Sequence, residues 1–207
     1  MIDEQIRARG VHDENVLRVM GSMPRHIFVP EGIRGEAYDD RALPIGHGQT
    51  ISQPFIVAYM TAKLDLTLDC KVLEVGTGTG YQTAILASLG REVHTIERVE
   101  ALLDQAKRRF AQFGLANIRA VLGDGSVGLP HEAPFDRILV TAAAPRVPQR
   151  LTAQLADGGH LVIPIGGLHE QTIVRATRKG TETVELPLLA CRFVKLIGEE
   201  GWPADLT

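Results

Sequence analysis

The chain has 207 residues, enough for one sizeable core, and with 44% hydrophobic and 23% charged residues it has the balance of an ordinary globular protein. Lys and Arg number 22 against 25 Asp and Glu, a formal net charge of -3, so the basic surplus of a general nucleic-acid binder is missing. No stretch approaches the roughly 18 apolar residues of a spanning helix, the first residues are charged rather than an apolar signal core, and a cytoplasmic protein is expected.

Ile2 and Ile6 mark a short helix that Gly10 stops, and Asp13 caps a second one with Val16, Leu17, Val19 and Met20 on its apolar face. Pro24 begins a helical turn toward Phe28, ended by Pro30, and residues 31–43 are polar and turn-like. They lead into the loop Gly46-His47-Gly48-Gln49-Thr50-Ile51-Ser52-Gln53-Pro54. Its glycines make it pliable, and Thr50, Ser52 and Gln53 supply neutral hydrogen-bonding groups. With no basic residue in it, an anionic ligand there is held largely by neutral donors. Such a loop either covers a bound substrate or crosses the surface and caps the next helix through Ser52.

Helix resumes at Pro54, with Ile56, Val57, Met60 and Leu64 as its apolar face. Cys70 and Cys191 sit beside strand-like sequence and are expected as reduced core thiols. The strand Val72-Leu73-Glu74-Val75 then runs into Gly76-Thr77-Gly78-Thr79-Gly80, and a helix follows from Tyr81 to Gly90. Strand, glycine turn and helix place backbone N–H groups around a small ligand at the mouth of a sheet. No Lys-Ser or Lys-Thr follows the glycines, against a phosphate-binding P-loop, and Tyr81 stands where the dinucleotide fingerprint has its third glycine. Glu74 disfavours a pyrophosphate and suits a ligand with ribose, amine and sulfonium groups.

Val93 to Ile96 reads as the second strand, closed by Glu97, 17 positions after Gly80. That carboxylate either accepts hydrogen bonds from a ribose diol or is a solvated loop acid. Residues 99–113 form a helix with Leu102, Leu103, Ala106, Phe110 and Phe113 inward and Lys107, Arg108 and Arg109 mostly in water. The third strand, Ile118 to Leu122, ends in Gly123-Asp124-Gly125, which either reads an adenine edge or is a plain turn. A fourth strand, Phe135 to Val140, precedes Thr141-Ala142-Ala143-Ala144-Pro145. A helix around 148–155 stops at Asp157-Gly158-Gly159, and Leu161 to Ile165 is the fifth strand. Strand-like runs at 171–177 and 190–197, joined through Lys179-Gly180, are expected as an antiparallel pair at the far edge. Trp202, in a polar tail, either covers a surface edge or is disordered.

Strands alternating with helices of about 10–15 residues make an α/β fold, a doubly wound, mostly parallel sheet with antiparallel C-terminal edge strands and an N-terminal helical cap. Its ligand crevice belongs at the carboxyl ends of the strands, where Glu74, Gly76, Gly78, Gly80, Glu97, Asp124 and Thr141 all fall. Hydrolytic machinery is not evident: Gly-x-Ser-x-Gly is absent, and Ser52 has no histidine in a recognisable arrangement. Neither His-Glu-x-x-His nor a cysteine cluster marks a metal site.

Glu74-Val75-Gly76-Thr77-Gly78-Thr79-Gly80-Tyr81 resembles motif I of the methyltransferases that use S-adenosyl-L-methionine (AdoMet). Gly48-Gln49-Thr50-Ile51-Ser52-Gln53-Pro54 narrows the resemblance to the protein-L-isoaspartate O-methyltransferases. Gly123-Asp124-Gly125, Ala133-Pro134-Phe135-Asp136, Thr141-Ala142-Ala143-Ala144-Pro145, Gly158-Gly159 and Arg192-Phe193-Val194 extend it over about residues 3–198. The resemblance implies one Rossmann-like domain over 1–207, with 1–54 as a helical lid and 65–200 as the AdoMet-binding core, working as a monomer. It implies methyl transfer to the α-carboxylate of an L-isoaspartyl residue in a damaged protein or peptide. The products are S-adenosyl-L-homocysteine (AdoHcy) and an ester that closes to a succinimide. No nucleic-acid, membrane or metal partner is implied. Ser52 is the residue such enzymes assign as active, with Thr50, Ile51 and Gln53 beside it at the substrate. Glu74, Gly76, Thr77, Gly78, Glu97, Asp124, Gly125 and Thr141 take the cofactor positions. Two rivals stay open: another AdoMet-dependent methyltransferase, for a small molecule or nucleic acid, and a non-catalytic AdoMet-binding protein.

Overall fold

Asp13 opens the first α-helix, its carboxylate accepting from the amides of Asn15 and Val16 at 3.0 and 3.1 Å, and α1 spans Glu14–Ser22. The computed structural model describes residues 1–168 and 170–204, so the domain expected over 1–207 is described except at 169 and 205–207. Ahead of α1, a π-helical turn and a 3-10 turn end at Gly10 in the left-handed conformation. After it, 3-10 turns cover Arg25–Phe28 and Glu31–Glu36.

The segment expected as a pliable loop is instead a small hairpin, β1 (Leu43–Gly46) against β2 (Gln49–Ile51), antiparallel with Leu43 opposite Ile51. Gly46, His47 and Gly48 turn it at φ of 87°, 54° and 68°, a left-handed run that glycine adopts without steric cost. Helix α2 (Pro54–Lys63) starts directly afterwards with Pro54 in its first turn. Its buried residues are Pro54, Phe55, Val57, Ala58, Met60 and Thr61, and Ile56, expected on the apolar face, is only half-buried.

The remainder alternates except between β5 and β6, which only 3-10 turns join: β3 (Lys71–Val75), α3 (Tyr81–Leu89), β4 (Glu92–Glu97), α4 (Glu100–Gln112), β5 (Ile118–Leu122), β6 (Phe135–Val140), α5 (Gln149–Ala153) and β7 (Leu155–Gly166). Strands β8 (Gln171–Lys179) and β9 (Glu182–Cys191) complete a sheet of order β5-β4-β3-β6-β7-β8-β9. Pairing is parallel from β5 through β7 and antiparallel for β7–β8 and β8–β9. Successive strand residues point to opposite faces. Leu73, Ile138 and Leu161 therefore join one apolar cluster, while Val72, Leu139 and Val162 join the other. Chain order reverses at β3, with β4 and β5 to one side and β6 and β7 to the other, so the crevice lies where the β3 and β6 ends diverge.

Two boundaries and one exposure differ from the sequence expectation. Strand β7 begins at Leu155, because Asp157-Gly158-Gly159 forms a bulge within it: Phe135 pairs with Leu155 but Arg137 with His160. The last strand is Glu182–Cys191 rather than 190–197, an edge strand whose first six residues are exposed, Val184 and Leu186 among them. Arg109, expected in water, is half-buried and donates to the carbonyls of Ile27 and Thr79, each at 3.1 Å. Cys70 and Cys191 are free thiols. Among the described residues, no helix is long and apolar enough to cross a membrane.

Gly80 shows how tightly the turn is fitted. It sits at φ +89°, and a Cβ there would lie 2.6 Å from Phe110 Cε1 on α4 and 3.3 Å from the Ala106 methyl. Both the conformation and the space exclude a side chain, so Gly80→Ala is expected to lower stability by about 1–3 kcal/mol in urea unfolding. A loss under about 0.5 kcal/mol would show that the turn and α4 can move apart.

Candidate active site

The end of β3 hands the chain to Gly76, whose amide donates to the Ile96 carbonyl at 2.8 Å and whose φ of 96° needs glycine. A Cβ at this position would run into Thr141 Oγ1. The Thr141 hydroxyl is shared between the carbonyls of Val75 and Gly76, at 3.0 and 2.8 Å, so the β6 end is stitched to the turn.

Glu97 fixes the other side. Its Oε2 accepts from the Gly78 amide at 2.9 Å, and its Oε1 from the amides of Arg98 and Val99 at 2.8 and 2.9 Å. A carboxylate has about four lone-pair sites, so one remains free toward the cleft that Glu97 lines.

Glu74 lies one layer behind the cleft wall and does not line it. It is fully buried, its Oε2 accepts from the hydroxyls of Thr83 and Thr95, and Oε1 has no partner. Thr95 in turn stands 2.6 Å from the Thr77 hydroxyl, which reaches the wall. Burial pushes the Glu74 carboxyl up to about 8 against the pull of the two threonines, and the Glu97 charge adds to the rise. At neutral pH Glu74 is therefore predominantly protonated.

Asp124 also sits beside the cleft rather than in its lining. Oδ1 accepts from the Ser126 amide and Oδ2 from the Glu199 amide, both at 2.8 Å, while the adjoining Gly125 does line the space. Burial raises the Asp124 carboxyl, but the Glu199 and Ser126 hydrogen bonds outweigh it and hold the group below the usual range. Its fixed partners make it a clasp between the β5 end and the C-terminal segment.

The facing wall is the hairpin. Gln49, Thr50, Ile51 and Ser52 line the same cleft as Gly76, Thr77, Gly78 and Thr79, which brings the two sequence-distant motifs together. The helix after Ser52 has no side-chain cap, so the capping alternative for this serine is not realised. Gln53, grouped with it from the sequence, turns away: its amide donates to the Asp40 carbonyl and to Asp40 Oδ1, at 2.9 and 2.8 Å.

A third wall was not foreseen. Residues 193–197 fold back from the sheet edge and line the cleft, with the Ala143 amide donating to Val194 and the Leu196 amide to Ala143, at 2.7 and 2.8 Å. Trp202 closes this return, its indole N–H donating to the Ala143 carbonyl at 3.0 Å, so the tail covers an edge. Gly198 and Gly201 were the available signal, since a Cβ at either would strike Asp124 or the Leu196 carbonyl. The cleft holds about 930 Å³ of empty space, solvent at its mouth included, and two cationic residues, Arg98 and Lys195, contribute to its lining.

A family profile for protein-L-isoaspartate(D-aspartate) O-methyltransferase matches residues 1–201. Protein-L-isoaspartate O-methyltransferases of Trichlorobacter lovleyi and Syntrophus aciditrophicus are 53% and 52% identical to the chain, each over 98% of it and 94% of the relative. A solved protein-L-isoaspartate O-methyltransferase is 28% identical with a TM-score of 0.86, covering 97% of this chain and 67% of its own. A Plasmodium falciparum structure named for the same activity was solved with S-adenosyl-L-homocysteine. It is 25% identical, with a TM-score of 0.82 over 95% of this chain and 96% of its own.

Protonation of Glu74 has a stability consequence of definite sign. Its carboxyl is about 8 when folded against 4.5 in an open chain, so its contribution is full below about 4.5 and is lost as pH rises through about 8. Glu74→Gln carries no such proton, and its stability relative to wild type is expected to rise between about pH 5 and about pH 8 in urea unfolding. An equal difference at the two pH values would show that Glu74 is already ionised in the folded protein.

Proposed function

The chain belongs to the protein-L-isoaspartate(D-aspartate) O-methyltransferase family, and from that premise we propose how its cleft divides the work. The protein is an AdoMet-dependent enzyme that methylates isoaspartyl residues in proteins and peptides. The proposed division rests on one observation: Ser52 and its neighbours line the same cleft as the glycine turn and Glu97.

The residues at the turn suit AdoMet. Gly78 offers bare backbone, Glu97 keeps one acceptor site for a ribose hydroxyl, and no lysine follows the glycines to meet a phosphate. Bound AdoMet supplies a methyl group activated by a positively charged sulfur. Gly76, Thr77, Gly78 and Thr141 shape the pocket around it, and Gly125 borders the adenine end with Asp124 holding it from behind. Glu74 supports the turn indirectly, through Thr95 and Thr77.

A carboxylate with a reference pKa of about 4 is ionised at neutral pH, so its attack on a methyl group needs no general base. The protein's task is alignment, which in well-oriented systems supplies as much as roughly 7–11 kcal/mol. Ser52 Oγ donates to the isoaspartyl carboxylate and turns it toward the methyl, without forming a covalent bond itself. Thr50 and Ile51 complete that wall, and Gln53 steadies the turn by its grip on Asp40. Residues 1–54 act as the lid over a 65–200 core, and closure keeps water from the meeting of anion and cation. We read the enzyme as a cytoplasmic monomer without nucleic-acid or membrane partners. Its two free thiols and its charge of -3 support the compartment and the lack of a nucleic-acid partner.

Methyl transfer from labelled AdoMet to an isoaspartyl peptide and to its normal aspartyl twin tests the substrate class, and label is expected in the isoaspartyl form alone. Ser52→Ala removes one hydrogen bond to a charged group, so kcat/KM for the peptide is expected to fall roughly 10–100-fold. AdoHcy affinity in calorimetry should stay within about twofold. Lost AdoHcy binding with peptide binding intact would place Ser52 on the cofactor instead.

A further inference from the structure

Among the described residues, Arg25 alone of the lysines and arginines is fully buried, at 0% exposed. Its Nε donates to the Ala37 carbonyl at 2.7 Å and its Nη2 to the Ser52 carbonyl at 2.8 Å. Nη1 and the buried Tyr81 hydroxyl make no hydrogen bond of ordinary geometry to any other group, and Tyr81 is the guanidinium's nearest partner: its ring centroid lies 4.9 Å from the guanidinium carbon, a cation–π contact, and its hydroxyl attracts the cation. None of these neighbours carries a negative charge. Arginine keeps its proton even where burial opposes it, so this is a cation enclosed without a counter-ion.

Such an arrangement is unfavourable for packing alone. A buried guanidinium is strongly desolvated, and two carbonyl hydrogen bonds with a neutral aromatic ring do not replace an anion. Yet the two groups around it, Ser52 and Tyr81, both line the cleft. The reaction brings a carboxylate to that wall. The counter-ion missing from the free protein therefore arrives with the substrate.

We propose that Arg25 is the positioning residue for the isoaspartyl carboxylate: from behind the cleft wall it braces the Ser52 turn and makes that wall favour an anion. The proposal rests on reading Ser52 as the residue that meets the carboxylate. It adds a buried cation to the expectation, drawn from a loop with no basic residue, that an anionic ligand is held largely by neutral donors. The cation comes from 27 positions earlier in the chain. Arg98 follows Glu97 at the cofactor end and Lys195 belongs to the C-terminal wall, so both serve as comparisons.

The test measures binding to AdoHcy-saturated enzyme of an isoaspartyl peptide and of its uncharged α-carboxamide twin. Wild type should prefer the acid by roughly tenfold or more, and equal binding would overturn both this proposal and the Ser52 reading beneath it. Because the cation is buried, that preference should persist from about 0.05 to about 0.5 M salt, and its disappearance would assign it to exposed cations. Arg25→Gln should weaken the acid roughly tenfold and leave the carboxamide within about twofold, while Arg25→Lys keeps most of the preference. AdoHcy affinity reports whether each variant retains the cleft. Equal weakening of acid and carboxamide, or a preference lost only in Lys195→Met, would overturn the role of Arg25 and leave Ser52 untouched. If Arg25→Gln does not fold, Arg25→Lys decides: AdoHcy bound with the preference gone refutes the proposal.

Discussion

The hydrogen bond from the Gly78 amide to Glu97 joins the turn after β3 to the end of β4, and the cleft takes its shape from that join. Two further amides complete the hold on the same carboxylate, so its position is set by backbone rather than by flexible side chains. The cost is a negative charge almost fully withdrawn from water, one strand away from a second acid. Glu74 meets that constraint by staying protonated: burial and the charge of Glu97 both disfavour its ionised form. Three backbone amides surround the Glu97 carboxylate, whereas only two hydroxyls reach that of Glu74.

Around this rigid base the chain assembles a second half from distant pieces. The hairpin presents Ser52, α3 presents Tyr81, and the segment 193–197 returns from the sheet edge to close the side. Arg25 and Arg109 tie the N-terminal cap to these parts through carbonyls, the former at Ser52 and the latter at Thr79. Among the described residues, neither arginine forms a salt bridge in doing so. Each uses the planar fork of donors that only arginine provides, which makes the cap and the cofactor turn one mechanical unit.

Much of this was legible in the residues. The Asp13 cap, the glycine turn and the five parallel strands follow from local chemistry and hydrophobic period and are all present, the fifth starting earlier than expected. The meeting of Ser52 with the glycine turn was legible only through resemblance, since 24 residues separate Ser52 from Gly76 and no local rule joins them. The C-terminal return was not legible, because its apolar residues imitate a strand and its true partner, Ala143, lies some 50 residues away. Gln53 and Arg25 were opaque for the same reason: an amide or a guanidinium declares what it can donate, and only the fold chooses the acceptor.

The central claim is that one cleft holds the cofactor on the Gly76–Gly78 and Glu97 side and the carboxylate on the Ser52 side. A crystal structure with AdoHcy and an isoaspartyl peptide tests it most directly. The account predicts the isoaspartyl carboxylate on Ser52 Oγ, pointing at the sulfur of AdoHcy, with a ribose hydroxyl on Glu97. A carboxylate bound away from the hairpin, or AdoHcy seated off the glycine turn, would contradict it.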